Sequence, residues 1–192
     1  MNLTELDTAL KYVDHTRQKR MQMAMKVSED PNLIEHLITI AFTDKDEIAS
    51  RACWIIEFTA KKELPYLFPY IDEFTAHLNK IRLDSSVRPL AKICELLMKA
   101  YFVKKEPDVM QVLTETHLER ITAACFDWLI GDHKVAAKAY SMTSLLLLGR
   151  KYKWILPELK LVLEQNYAQG SAAYKARARL TLAKINKLGI RS

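Results

Sequence analysis

The sequence predicts an all-α fold: about four helix pairs stacked behind an N-terminal capping helix. Three observations carry this. Apolar residues recur at helical spacing, while Asn-Gly turns, Asp-Gly turns and sustained period-two alternation of β-branched residues are missing from the 192 residues. The four glycines, Gly131, Gly149, Gly170 and Gly189, fall 18, 21 and 19 residues apart in the last third, which reads as helix, turn, helix, turn. Each glycine is expected just past a helix end in the left-handed conformation. Finally, the chain repeats itself. With Ile48, Val87, Val135 and Tyr174 aligned, alanine recurs four residues on at Ala52, Ala91, Ala139 and Ala178. Offset seven holds Ile55, Cys94, Met142 and Thr181, and offset eleven holds Thr59, Met98, Leu146 and Ile185. Offsets of 0, 4, 7 and 11 share one helix face, and the alanine column lets a neighbouring helix approach closely.

The elements follow in order. Residues 1–29 form the cap, one long helix over 2–27 with Leu3, Leu6, Leu10 and Val13 on a single face. Each repeated segment is a B-helix preceded by an amphipathic A-helix: "PNLIEHLITIAF" (31–42), "LFPYIDEFTAHLNKI" (67–81), "THLERITAACFDWLI" (116–130) and "WILPELKLVLEQNY" (154–167). Between the second and third B-helices, "KKEPDVMQVLT" holds the extra residues of the longer interval, as an added turn or short helix starting near Pro107. A helix pair cannot bury its apolar face alone, so the pairs stack. Pro89 would cost about 3 kcal/mol in a helix interior. An N-cap at Ser86 makes it the third helical residue instead, where its missing N–H has no intrahelical acceptor to lose.

"VRPLA", with Val87, Arg88 and Ala91 opening a helix after Asp84-Ser85-Ser86, resembles the Val-Arg-x-x-Ala core of HEAT repeats. "IASRA", "VAAKA" and "YKARA" follow it with Ala49 and Ala136 replacing the arginine and Tyr174 replacing the aliphatic residue. The resemblance covers about residues 30–190. It implies a single domain over 1–192, an α-α superhelix (a right-handed HEAT-like solenoid) with repeats near 31–62, 64–101, 107–152 and 153–190. The B-helices would line its concave side. More narrowly, "VRPLAKICE", "KVAAKAYSM" and "YKARAR" are similar to a group of short bacterial proteins often named adenylosuccinate lyase. The lyases themselves resemble a longer chain with a mobile Ser-rich loop; here the nearest string, "SMTS" (141–144), falls inside a B-helix without the Pro, Lys or Asn of that loop.

Charge is polarised along the chain. From Gly131 onward there are 12 basic residues against 3 acidic ones, whereas residues 1–130 hold 17 against 20. A basic end steers acidic partners. With the B-helices on the concave side, Lys134, Lys138, Arg177 and Arg179 would gather near one groove that fits an acidic peptide, a phosphate-bearing partner or another anion. The expected function is therefore non-enzymatic binding or scaffolding, with a protein or other anionic partner. Nucleic acid is an alternative partner, and without interleaved aromatics its bases would not be read specifically.

Chemistry finds little footing. The histidines lack ligand spacing and no cysteine pair has it, so neither metal nor cofactor is expected. A phosphate-cradling glycine loop is excluded before residue 131. Asp72 with Glu73 and Asp46 with Glu47 read as helix-start acids. Some HEAT-like proteins are DNA glycosylases that place Trp and Asp one turn apart, as Trp128 and Asp132 stand here. The competing reading is core packing for Trp128 and an N-cap for Asp132. Tyr66, Phe68, Tyr70 and Phe74 form either inter-repeat core or a partner patch, with Pro69 near a helix start. Cys53, Cys94 and Cys125 read as buried hydrophobes of a reducing compartment. With an acidic N-terminal stretch and only Leu145–Leu148 as a pure apolar run, a cytoplasmic chain with no membrane partner is expected; the oligomeric state is left open.

Overall fold

The computed structural model describes residues 1–43 and 46–188, and among these the regular structure is entirely helical. Gly189 and Arg191, counted above, lie outside the described residues. The B-helices are α4 (Glu47–Lys62), α6 (Asp84–Lys99), α9 (Val135–Leu148) and α11 (Ala172–Lys187). Three A-helices are α3 (Leu33–Ala41), α8 (Glu115–Ile130) and α10 (Ile155–Tyr167), packed on α4, α9 and α11 respectively. The B-helices lie one on the next, α4 on α6, α6 on α9 and α9 on α11. The repeated columns form these seams: every residue at offsets seven and eleven is buried, as are Ala52, Ala91 and Ala178, while Ala139 is half-buried.

The expected single helix over 2–27 is two helices, α1 (Leu3–Leu10) and α2 (Arg17–Glu29). The break has a local cause. Asp14 Oδ1 accepts from both the Thr16 amide (2.9 Å) and its hydroxyl (2.6 Å), and Thr16 then caps α2 at the Lys19 amide (3.4 Å). Val13 turns into the core between the two helices while Leu3 stays exposed, so the anticipated four-residue face is split. At α1 the Asn2 and Glu5 side chains exchange hydrogen bonds with each other's amides, both 2.9 Å, a capping box.

The second A-helix is likewise subdivided. A 3-10 segment Leu64–Tyr70 leads into a short α5 (Ile71–His77) and a second 3-10 turn, Leu78–Lys80. Pro65 and Pro69 withhold amide donors four residues apart, which prevents an α-helix from running through them. Pro69 therefore precedes α5 rather than opening it. Phe74 is buried, and Tyr66, Phe68 and Tyr70 are half-buried against the core. α5 packs on α8, tied by Arg120 Nη1 and His117 Nε2 to Asp72 Oδ1 at 2.7 and 3.3 Å.

Pro89 is not a boundary mark. α6 begins at Asp84 with Leu83 at the N-cap position, so Pro89 is its sixth residue and Ser86 lies inside the helix. The inserted residues after α6 form a π segment, Ala100–Lys104, and α7 (Pro107–Val112), which starts at the expected proline. Between them Lys105 has φ 55°, the left-handed turn expected of glycine. Gly131 and Gly149 instead have φ −62°. Space is the reason for glycine at 149 and 170: a Cβ on Gly149 would collide with Leu156 Cδ2, and one on Gly170 with Tyr174 Cδ1. These glycines admit a neighbouring side chain.

Cys53, Cys94 and Cys125 are fully buried. Burial, together with the adjacent Cys125, pushes the Cys94 thiol well above its usual range. No described helix is long and apolar enough to cross a membrane.

Candidate anion-binding site

The four C-terminal cations stand in three settings. Lys134 and Lys138 line a cleft with Asp132, His133, Asn166 and Tyr174. Arg179 lies in a different cleft beside Glu164, Tyr167 and Asn186. Arg177 turns toward α9 and α6, where its Nη2 donates to Thr143 Oγ1 at 2.5 Å and stands 3.9 Å from Glu95 Oε1. Positions 177 and 179 diverge because residues two apart on a helix point to different sides.

Trp128 and Asp132 are also kept apart in environment. The indole is 1% exposed, inside the α8–α9 core, and offers no face to a ligand. Asp132 is exposed and is not an N-cap: that position before α9 belongs to Lys134, without a side-chain cap bond. Ser141 and Ser144 of "SMTS" are buried within α9.

A stronger concentration of charge lies where α2 docks against α4 and Arg88 reaches in from α6. The cleft there, about 500 Å³, is lined by Arg17, Arg20, Lys61, Lys62 and Arg88 around a single carboxylate, Glu57. Glu57 has 0% exposure yet sits within α4, where only charged neighbours make its burial tolerable. Arg88, reaching across from α6, supplies Nη2 to Glu57 Oε2 at 2.7 Å, and Lys61 on the next turn of α4 donates to Oε1. Arg20 is held differently. Its guanidinium donates to the His15 carbonyl and, through Nε, to Thr16 O at 3.2 Å, and it lies 5.4 Å from the Trp54 ring centroid and 5.2 Å from that of Phe58. Burial and the charge of Arg88 push the Arg20 guanidinium down from its ordinary value. The remaining wall is apolar, made by Met21, Ala24, Met25 and Phe58.

The cationic row continues along the B-helices. On α6, Arg88, Lys92, Glu95 and Lys99 are spaced to share one face. Glu95, buried like Glu57, receives Lys92 at 2.5 Å and Lys99 at 2.9 Å. Burial acts to raise the Glu95 carboxyl, but these two bonds outweigh it and hold it below its ordinary range. Lys92 Nζ also lies 4.7 Å from the Tyr140 ring centroid on α9. Across α2, α4, α6 and α11, eight cations (Arg17, Arg20, Lys61, Lys62, Arg88, Lys92, Lys99, Arg177) stand near two carboxylates.

No family model, curated protein or solved structure matches the chain. The site must therefore be read from its own chemistry. Sequence reasoning missed it because the C-terminal third carries the larger formal excess, whereas this cleft is assembled from residues 17–25, 57–62 and 88. The available signal was Arg88 and Lys92 on the face of α6 with Arg17 and Arg20 one turn apart on α2.

Proposed function

We propose that the chain is a non-enzymatic binding protein of the HEAT-like helical-repeat type, whose B-helices form the face that takes an acidic or phosphate-bearing partner. The helix pairs would follow one another as a right-handed superhelix. The observation that carries the reading is the imbalance at buried carboxylates: Glu57 and Glu95 each fix cations in place, and more cations surround them than they neutralise. Pinned cations bind anions at a lower entropic cost than free lysines. What supports binding over catalysis is that the acids of this face are occupied by cations rather than facing an open space where a substrate could meet them.

Nucleic acid is the second reading, on one observation. Rings and cations interleave on the face, Arg20 over Trp54 and Phe58 and Lys92 over Tyr140. Base excision gains nothing from the buried Trp128.

The test is retention on a sulfated polysaccharide matrix across a salt gradient. The triple reversal Arg17→Glu, Lys61→Glu, Lys62→Glu is compared with Lys134→Glu, Lys138→Glu, Arg179→Glu. The expected result is salt-sensitive retention that the first triple abolishes and the second leaves largely intact. Equal effects from both triples, or no retention at low salt, would discard the B-helix face as the binding surface.

A further inference from the structure

The α2–α4–α6 cleft differs from the rest of the row in having both a cationic floor and an apolar wall. We infer that it is a receptor for a small aryl phosphate, the phosphate held by Arg17, Arg20 and Arg88 and the flat group laid against Phe58, Met21 and Met25. The inference rests on the reading of the B-helix face as anion-binding, and it adds the ligand's chemical class.

Four arguments lead there. Its volume of about 500 Å³ suits a small molecule rather than an extended chain. Five cations surround the one carboxylate, and Arg17 and Lys62 have no carboxylate partner among the described residues, so a dianion is wanted rather than a single carboxylate. Guanidinium groups match the oxygens of phosphate, and two of the three are already oriented, Arg88 by both Nη atoms on Glu57 and Arg20 by backbone carbonyls and two rings, which leaves Arg88 Nε, Arg20 Nη1 and the Arg17 fork to donate. Opposite them, Met21 and Met25 remain about half exposed, an unusual position for two adjacent-turn methionines, and thioethers adapt well to aromatic faces.

The experiment is calorimetric titration of the full chain with phenyl phosphate and with inorganic phosphate. Phenyl phosphate is expected to bind about tenfold or more tighter, since ring burial adds to the shared phosphate contacts. Arg17→Glu with Lys62→Glu, both exposed positions, should weaken both ligands about tenfold or more. Met21→Glu with Met25→Glu should reduce the preference for the ring. Equal affinities for the two ligands, no binding of either, or binding unmoved by the Arg17/Lys62 variant would each overturn the inference. Retention on the sulfated matrix without phenyl phosphate binding removes the inference alone. Phenyl phosphate binding without retention removes the wider reading and leaves the cleft.

Discussion

The indole Nε1 of Trp54 on α4 donates a 2.9 Å hydrogen bond to the backbone carbonyl of Ser85 on α6. That carbonyl is the one Pro89 leaves open, because residue 89 would otherwise return its amide to residue 85. A proline in the sixth position of a helix is thus answered by a side chain from the helix packed against it, α4. The Ser50 hydroxyl reinforces the joint, 2.6 Å from Ser85 Oγ and 3.0 Å from Ser86 Oγ.

The pair should be energetically coupled. Trp54→Phe removes the donor, and Pro89→Ala restores an amide for Ser85. In a double-mutant cycle by urea denaturation, the cost of Trp54→Phe is expected to shrink by about 0.5–1.5 kcal/mol in the Pro89→Ala background. Strict additivity would mean that the indole does not substitute for the missing amide.

Glu95 gives the fold a defined acid sensitivity. Its carboxyl titrates below its ordinary 4.5, so its contribution to stability is complete above that pH and declines as the pH falls through the lower folded value. Glu95→Gln should cost about 1–3 kcal/mol at pH 7. The gap between wild type and variant should close as the pH is lowered below 4.5, measured as melting temperature against pH. A gap independent of pH would assign the loss to packing.

Gly149→Ala tests the close approach to Leu156. Alanine in a helical backbone normally gains about 0.5–1 kcal/mol over glycine. Here the added methyl meets Leu156 Cδ2 at 2.3 Å and Cγ at 2.4 Å, so the sign should reverse to a loss of about 1–3 kcal/mol. In a Leu156→Ala background the cost of Gly149→Ala should shrink. Stabilisation by Gly149→Ala alone would contradict the contact.

The three thiols are expected to be silent in the native state. All have 0% exposure, and the Cys94 thiol is pushed up by burial and by its neighbour Cys125. Reaction with a disulfide-exchange reagent should wait for unfolding and report three thiols only in denaturant. A fast-reacting native thiol would place at least one cysteine at the surface.

Much of this architecture was legible because it is written in local periodicity. The columns at Ala52, Ala91 and Ala178 and at Ile55, Cys94, Met142 and Thr181 mark helix faces from sequence alone, and those faces are the buried seams. The misread points are places where a side chain outcompetes periodicity. Asp14 and Thr16 break the first helix with their own hydrogen bonds, and Trp54 lets α6 begin earlier than Pro89 implies. The site was least legible. Its cations are separated by up to 71 positions, from Arg17 to Arg88, and only the docking of α2 on α4 brings them round Glu57. A count of charges per third of the chain cannot register that.

The one-on-the-next order of α4, α6, α9 and α11 also grades the molecule in time. α6 is held on both sides, by α4 and α9, whereas α11 packs only on α9 and α10 among its principal contacts. Backbone amides of α11 should therefore exchange with solvent through partial openings that detach the last pair, while those of α6 should wait for the whole chain to open. The α10–α11 end works as a fraying edge, while Arg88 of the cleft is carried by α6, the helix at the slow end of that gradient.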